Sequence, residues 1–245
     1  MFTVIIPARY GSTRLPGKPL ADIAGKTMVQ RVYERALSSD ANDVVIATDD
    51  ERVMAAAAGF GAKCLMTRVD HESGTDRLQE AALALGLTDS DIVVNVQGDE
   101  PLIPPENINQ VYANIVANNT AIATLSVAIN DVEEYNDLNA VKVVSATDGT
   151  ALYFSRAAIP FVRDTPAQLP SALSAQRHVG IYAYKVSLLN QFVNWPASPL
   201  ELSERLEQLR AMENGEKIHV AVAAIDPPAG VDTEADLLRL RALLA

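Results

Sequence analysis

Short apolar runs alternate with amphipathic stretches along the first half of the chain. Residues 2–6 are apolar and rich in β-branched side chains, the mark of a short strand buried on both faces of a parallel sheet. Residues 43–48 and 91–96 repeat the pattern, and 63–66 is a shorter version. Between them, 25–39 has helical spacing, with Met28, Val32 and Leu37 on one side. Residues 51–59 are Ala-rich and helical, and 75–85 follows a polar loop at 70–77. Strand and helix in alternation predict right-handed βαβ units and a parallel sheet.

The second half is more mixed. A helix is predicted over 105–117, and strands over 121–129, 140–144, 151–155, 181–184 and 219–224. Residues 199–214 read as one strong helix with Leu202, Leu206 and Leu209 spaced for burial and Gly215 as its cap. A Pro-, Ala- and Ser-rich loop is predicted over 164–176, a turn with two prolines over 226–232, and a closing helix over 234–244.

Composition narrows the class. The chain has 245 residues, 49% of them hydrophobic, enough for a sizeable core. No apolar stretch reaches the roughly 18 residues of a membrane span, and the N-terminus lacks the pattern of a signal peptide. The expectation is a cytoplasmic protein with no membrane partner. Cys64 is the lone cysteine, so neither an internal disulfide nor a cysteine-based zinc site forms; it is expected in the core. A net charge of −11 disfavours nucleic acid as a partner and leaves anion binding to local basic clusters.

One such cluster follows the first strand. Pro7 ends it, and the next residues are small, basic or turn-forming: Ala8, Arg9, Gly11, Arg14 and Lys18 among them. Ligands of open α/β sheets bind at the carboxyl ends of strands. Glycines admit backbone N–H groups close to an anion, and the cations offset its charge, so this loop suits a polyphosphate. The alternative is a solvated surface loop, and the sequence has neither G-x-x-x-x-G-K-[ST] nor G-x-G-x-x-G here. A second basic group surrounds Arg156, Arg163, Arg177 and His178.

Two aspartates follow predicted strands. Asp99 sits in the turn Gln97-Gly98-Asp99-Glu100-Pro101, and Asp232 in Gly230-Val231-Asp232-Thr233. Each has a plain reading, Asp99 as a turn cap and Asp232 as the N-cap of the last helix, with Thr233 able to take that role. With a polyphosphate loop nearby, the pair describes a Mg²⁺ site, because magnesium prefers one or two carboxylates plus phosphate oxygens and water.

The stretch PARYGSTRLPGKPL resembles the signature of sugar nucleotidyltransferases, and more closely that of 3-deoxy-manno-octulosonate (Kdo) cytidylyltransferases. VNVQGDEP and GVDT-x-x-DL are similar to that family's two metal-binding segments, and the likeness runs from Val4 to about Leu237. The resemblance implies a single α/β domain of Rossmann-like, nucleotide-diphospho-sugar transferase fold, a mixed, mostly parallel sheet flanked by helices. Residues 1–130 would mainly bind nucleotide, 131–225 would form a smaller acceptor and dimerisation lobe, and 226–245 would supply the metal-ligand turn and closing helix.

The implied reaction is transfer of CMP from CTP to Kdo, giving CMP-Kdo and diphosphate for lipopolysaccharide synthesis, by a homodimer using Mg²⁺. Arg9, Lys18 and Asp99 would be catalytic. Pro7, Ala8, Arg9, Gly11, Arg14, Lys18, Ser73, Gly74, Arg77 and Gln97 would bind the nucleotide, with Ser73 and Gly74 reading the pyrimidine. Gln97, Arg156, His178, Tyr182, Glu207 and Gln208 would hold the acidic eight-carbon sugar. Asp99 and Asp232 would ligate the metal. The plain readings are a helix cap for Ser73 or Thr75, a surface pair for Glu207 and Arg210, and a structural role for His178. Two other functions fit the same residues: a cytidylyltransferase for 8-amino-Kdo or a sialic acid, and a non-catalytic nucleotide-binding regulator on the same fold.

Overall fold

A computed structural model describes residues 1–11, 15–71, 73–164, 169 and 175–244. The strands are β1 (Thr3–Pro7), β2 (Asp22–Ile23), β3 (Lys26–Thr27), β4 (Asp43–Thr48), β5 (Lys63–Met66), β6 (Ile92–Asn95), β7 (Ile122–Ala128), β8 (Lys142–Ser145), β9 (Ala151–Ser155), β10 (Gln176–Lys185) and β11 (Ile218–Val222). The helices are α1 (Met28–Leu37), α2 (Glu51–Gly59), α3 (Gly74–Ala84), α4 (Pro105–Ala117), α5 (Val132–Asn136), α6 (Val186–Phe192), α7 (Pro199–Glu204), α8 (Gln208–Glu213) and α9 (Glu234–Leu244).

The main sheet runs β11-β7-β10-β6-β1-β4-β5, and β8 and β9 branch from β10. β5, β4, β1 and β6 are parallel neighbours, as the alternating first half predicts. β10 then enters antiparallel between β6 and β7, so the sheet is mixed. Continuous apolar runs put Val4, Ile5 and Ile6 of β1 and Val45 and Ile46 of β4 fully out of solvent. One core cluster joins the sheet to α1, α2 and α4, and another joins its opposite face to α3, α6 and α8. Burying each such Val or Ile contributes about 1.5–3 kcal/mol, so the central strands form a stiff platform beneath the loops at their ends.

Several predicted elements differ in the structure. The helix expected over 199–214 is two helices, α7 and α8, broken at Arg205, whose φ is +55°. Leu206 and Leu209 are buried, but Leu202 is 53% exposed. Arg205 also closes α7, with its N–H donating to Glu201 O at 2.7 Å. Leu37 faces solvent and Cys64 is only partly buried, because α1 ends at Leu37 and β5 is the outer strand of its side. α5 and α6 are helices that the apolar pattern misses, since each is short. The segment 164–176 lies mostly outside the described residues.

Candidate active site

The carboxyl ends of β1 and β6 and the middle of β10 surround a cleft of about 470 Å³. Its floor starts at Pro7 and Ala8, where β1 runs out, and at Asn95 and Gln97, where β6 does. Gly98 is required here: a Cβ would lie 2.8 Å from Pro7 O. That close approach seats the turn bearing Asp99 against the opening loop. Ile103 N–H and Glu100 N–H close the turn onto Glu100 O and Gln97 O.

Asp232, far away in sequence, is brought to Asp99 by the backbone. Val231 N–H donates to Asp99 O at 2.9 Å, and Gly230 packs against Glu100. Thr233, rather than Asp232, shares a reciprocal cap with Asp236, and Asp236 also accepts the Asp232 N–H. The Asp232 carboxylate turns instead to Lys18. The Lys18 ammonium donates to Asp99 Oδ2 at 2.6 Å and to Asp232 Oδ1 at 3.0 Å, with its side chain 12% exposed. Lys18 is aimed by Gly17, at φ +70°, and by the short 3-10 turn Lys18–Leu20.

This arrangement fits a divalent cation. Two hard carboxylates already converge on one positive charge, and magnesium completes such a pair with phosphate oxygens and water. Glu100 reports the same surplus of negative charge. Burial and the neighbouring Asp99 and Asp232 push its carboxyl up to about 8. Among the described residues no group of three or more metal-ligating side chains collects, so substrate oxygens would have to complete the shell.

Arg9 reaches the cleft from an exposed position. Gly11 is exposed and is not part of the wall, and Arg14 lies outside the described residues. Ser73 and Gly74 line the cleft where α3 begins. Ser73 makes a capping box with Asp76: Asp76 N–H donates to Ser73 Oγ and Ser73 N–H to Asp76 Oδ2, both at 3.1 Å. Arg77 is buried beneath this turn, donating to Asp49 Oδ2 at 2.8 Å and to Thr67 Oγ1. Arg77 also lines the cleft, tied there to residues just past β4 and β5.

The opposite wall is built by β10 and the α7–α8 break. A bulge between Val179 and Tyr182 sets His178 and Tyr182 with ring centroids 5.2 Å apart. His178 Nε2 is 3.0 Å from Thr124 Oγ1, whose single proton is already drawn to Ile181 O at 2.7 Å, so the imidazole donates. Burial, then the adjacent Arg177, push His178 down to about 3. It is neutral at physiological pH and offers hydrogen bonding rather than charge. Arg177 pairs with Glu134 at 2.6 Å, and Arg156 donates from Nε to Glu204 O at 2.8 Å; neither lines the cleft.

Breaking the helix at Arg205 delivers Glu207 and Gln208 to the wall. Arg210 does not pair with Glu207. It makes a buried two-point pair with Glu201, at 2.7 and 2.6 Å, that locks α7 to α8. Gln208 Nε2, Asn95 Oδ1 and Tyr182 OH are buried without a hydrogen-bond partner, and all three residues line the cleft. Such groups cost about 1–3 kcal/mol each if left unmatched, so together they call for a hydroxyl-rich ligand. Burial drives the Tyr182 phenol well above its usual value, so it stays protonated.

Sequence reasoning missed Asn95 and Tyr184. A lone amide closing the apolar strand Ile92–Asn95 was a readable signal for the first. Tyr184 stands two residues beyond Tyr182 on the same strand face, stacked at 5.5 Å.

A nucleotide-binding α/β sheet with a cationic loop facing two carboxylates defines a nucleotidyltransferase, and residues 3–218 match the family model described as cytidylyltransferase. The chain belongs to the 3-deoxy-manno-octulosonate cytidylyltransferases of that family. It is 59% identical over 249 residues to the enzyme of that name from Cellvibrio japonicus, covering 99% of this chain and 98% of the relative. The Vibrio vulnificus enzyme is 58% identical over 246 residues, covering 100% and 98%. A solved CMP:2-keto-3-deoxy-manno-octonic acid synthetase complexed with CTP superposes with a TM-score of 0.90 at 45% identity, covering 99% and 98%. A cytidylyltransferase from Leptospira borgpetersenii shares the fold, with a TM-score of 0.63 at 20% identity, covering 99% of this chain and 86% of its own.

Proposed function

We propose that this protein transfers CMP from CTP to Kdo, releasing diphosphate and activating the sugar for lipopolysaccharide synthesis. The observation that carries the reading is the cleft's division into a charged wall, Lys18 with Asp99 and Asp232, and a neutral polar wall with unmatched Asn95, Tyr182 and Gln208. The first suits a triphosphate, the second a polyhydroxylated sugar. Relatives named for this activity over the full length support it.

In this reaction the acceptor hydroxyl oxygen attacks the α-phosphorus in line, and the bond to diphosphate breaks. Arg9, Arg14 and Lys18 hold the triphosphate and offset its charge as diphosphate departs. Asp99 and Asp232 would hold Mg²⁺, which supplies neutralisation of the phosphate oxygens. The turn Ser73-Gly74 faces the pyrimidine, with Arg77 and Asp49 fixing its position. With the Ser73 N–H and Oγ engaged in the helix cap, base reading falls to the remaining polar groups of this turn. Gln97 stands where the two substrates meet, and His178, Tyr182, Glu207 and Gln208 orient the sugar by hydrogen bonds. Rate enhancement here is mainly positioning.

The continuous sheet supports reading 1–130, 131–225 and 226–245 as parts of one domain. Leu138, Leu152 and Phe161, each more than 60% exposed, favour a homodimer through the acceptor half; light scattering at micromolar concentration tests this, a monomer mass overturning it. No helix among the described residues is long and apolar enough to cross a membrane, and use of CTP would favour the cytoplasm.

The test is diphosphate release with each of four nucleoside triphosphates and with Kdo, 8-amino-Kdo and a sialic acid. Turnover with CTP and Kdo above the other pairs is expected. Preference for another sugar transfers the reading to that acceptor, and release with none makes the protein a nucleotide-binding regulator.

A further inference from the structure

The two walls of the cleft are joined by one side chain. Thr75, 4% exposed in the first turn of α3, donates from Oγ1 to Glu207 Oε2 at 2.8 Å. Ser73 caps the same helix by accepting Asp76 N–H, so the Thr75–Glu207 bond ties Glu207 to that first turn from outside the cap. Glu207 itself sits at the α7–α8 break, beside Gln208, and its neighbour Arg205 holds a left-handed backbone that leaves this segment little freedom to find another position.

We infer that Thr75 is a positioning residue for the acceptor: its hydroxyl fixes Glu207, and through it the sugar-facing wall, to the turn that faces the nucleotide base. This rests on the reading of Glu207 and Gln208 as acceptor-side residues. Burial, with Asp76 nearby, pushes the Glu207 carboxyl up, and the Thr75 hydrogen bond pulls it back toward the charged form. Removing the hydroxyl takes away this donor, and the Ser73 cap survives. The sugar then meets a carboxylate of altered orientation, while the triphosphate cradle at Lys18, Asp99 and Asp232 is untouched.

The experiment measures KM for CTP and for the acceptor, each with the other saturating, in the wild type, Thr75→Val, Thr75→Ser, Glu207→Gln and the Thr75→Val/Glu207→Gln double variant. The acceptor is whichever of Kdo, 8-amino-Kdo and sialic acid the wild type turns over best, so a wrong sugar assignment shows in the wild type alone. Val replaces the hydroxyl with a methyl of similar size; if its thermal unfolding is abnormal, Thr75→Ala takes its place. Expected in Thr75→Val is an acceptor KM raised about tenfold, the loss of one hydrogen bond to a carboxylate. The KM for CTP stays within about twofold, Ser restores the acceptor KM, and the double variant is no worse than Glu207→Gln alone. An equal rise in KM for CTP, failure of Ser to rescue, or additive losses in the double variant overturns the proposal.

Discussion

The two walls of the cleft offer opposite means of binding a polar ligand. The wall proposed for the nucleotide concentrates charge: one ammonium between two carboxylates, with an exposed arginine beside it. The other wall keeps its buried side chains neutral, with the exposed Arg205 as its one flanking cation among the described residues. His178 is held neutral, Tyr182 and Tyr184 stay protonated, and Glu207 is pushed toward its neutral form. A triphosphate needs counter-charge that can rearrange as diphosphate leaves, and partly exposed side chains on loops supply it. A sugar needs fixed directions of donors and acceptors, and buried side chains on a strand and a strained helix break supply those. On the proposed reading, charge would give the first wall its affinity and placement would give the second its selectivity.

The largest expected effect breaks the charged wall at its centre. Asp99→Asn abolishes turnover while the far-ultraviolet circular dichroism stays that of the wild type; full activity in excess chelator would remove the metal from the mechanism. Lys18→Ala comes next. Loss of a charge-assisted contact to phosphate costs about 1.5–3 kcal/mol, a rate loss of roughly 10- to 150-fold. The same change withdraws the ammonium from Asp99 and Asp232, so melting temperature falls in chelator and recovers with Mg²⁺. A rate equal to wild type would take Lys18 out of the triphosphate's contacts.

Base choice sharpens the boundary between the walls. Cytosine and uracil exchange donor and acceptor at two positions, and each mismatch against fixed groups costs about 1–3 kcal/mol. CTP is therefore expected to exceed UTP in kcat/KM by at least about tenfold. Equal use of the two would sink the base-facing role of Ser73 and Gly74.

The smallest effect tests the neutrality of the acceptor wall. His178 lies near 3 in the folded protein against 6.5 as its ordinary value. Between those values the unfolded chain binds the extra proton, so the folded state loses stability as pH falls through that window and keeps it above. Melting temperature should drop from pH 7 to pH 4 more steeply in the wild type than in His178→Gln. Parallel slopes would show that the imidazole is not held neutral.

The charged wall was far more legible in the sequence than the neutral one. Cations after a strand and acidic turns after two others stand out from their apolar surroundings, and Lys18, Asp99 and Asp232 do meet. The family resemblance assigns Arg156 to the sugar, yet its guanidinium is engaged with Glu204 O and Leu138 O. Asn95 and Thr75 carry no charge to mark them, and their roles come only from what faces them.

By itself the sequence determined the parallel half of the sheet, the buried strands β1, β4 and β6, and the loops at their ends. Those follow from local periodicity, in which burial on both faces demands apolar runs. Only the tertiary structure decided that β10 runs antiparallel between β6 and β7, that its bulge turns His178 and Tyr182 into the cleft, and that the helix expected over 199–214 breaks at Arg205. Thr124, distant in the chain, holds the bulge, and Ser155, likewise distant, holds Glu204 at the break, which the Glu201–Arg210 pair then spans. Helical spacing across 199–214 is locally sound, but long-range hydrogen bonds and the burial of Leu206 outweigh the modest local preference for one continuous helix.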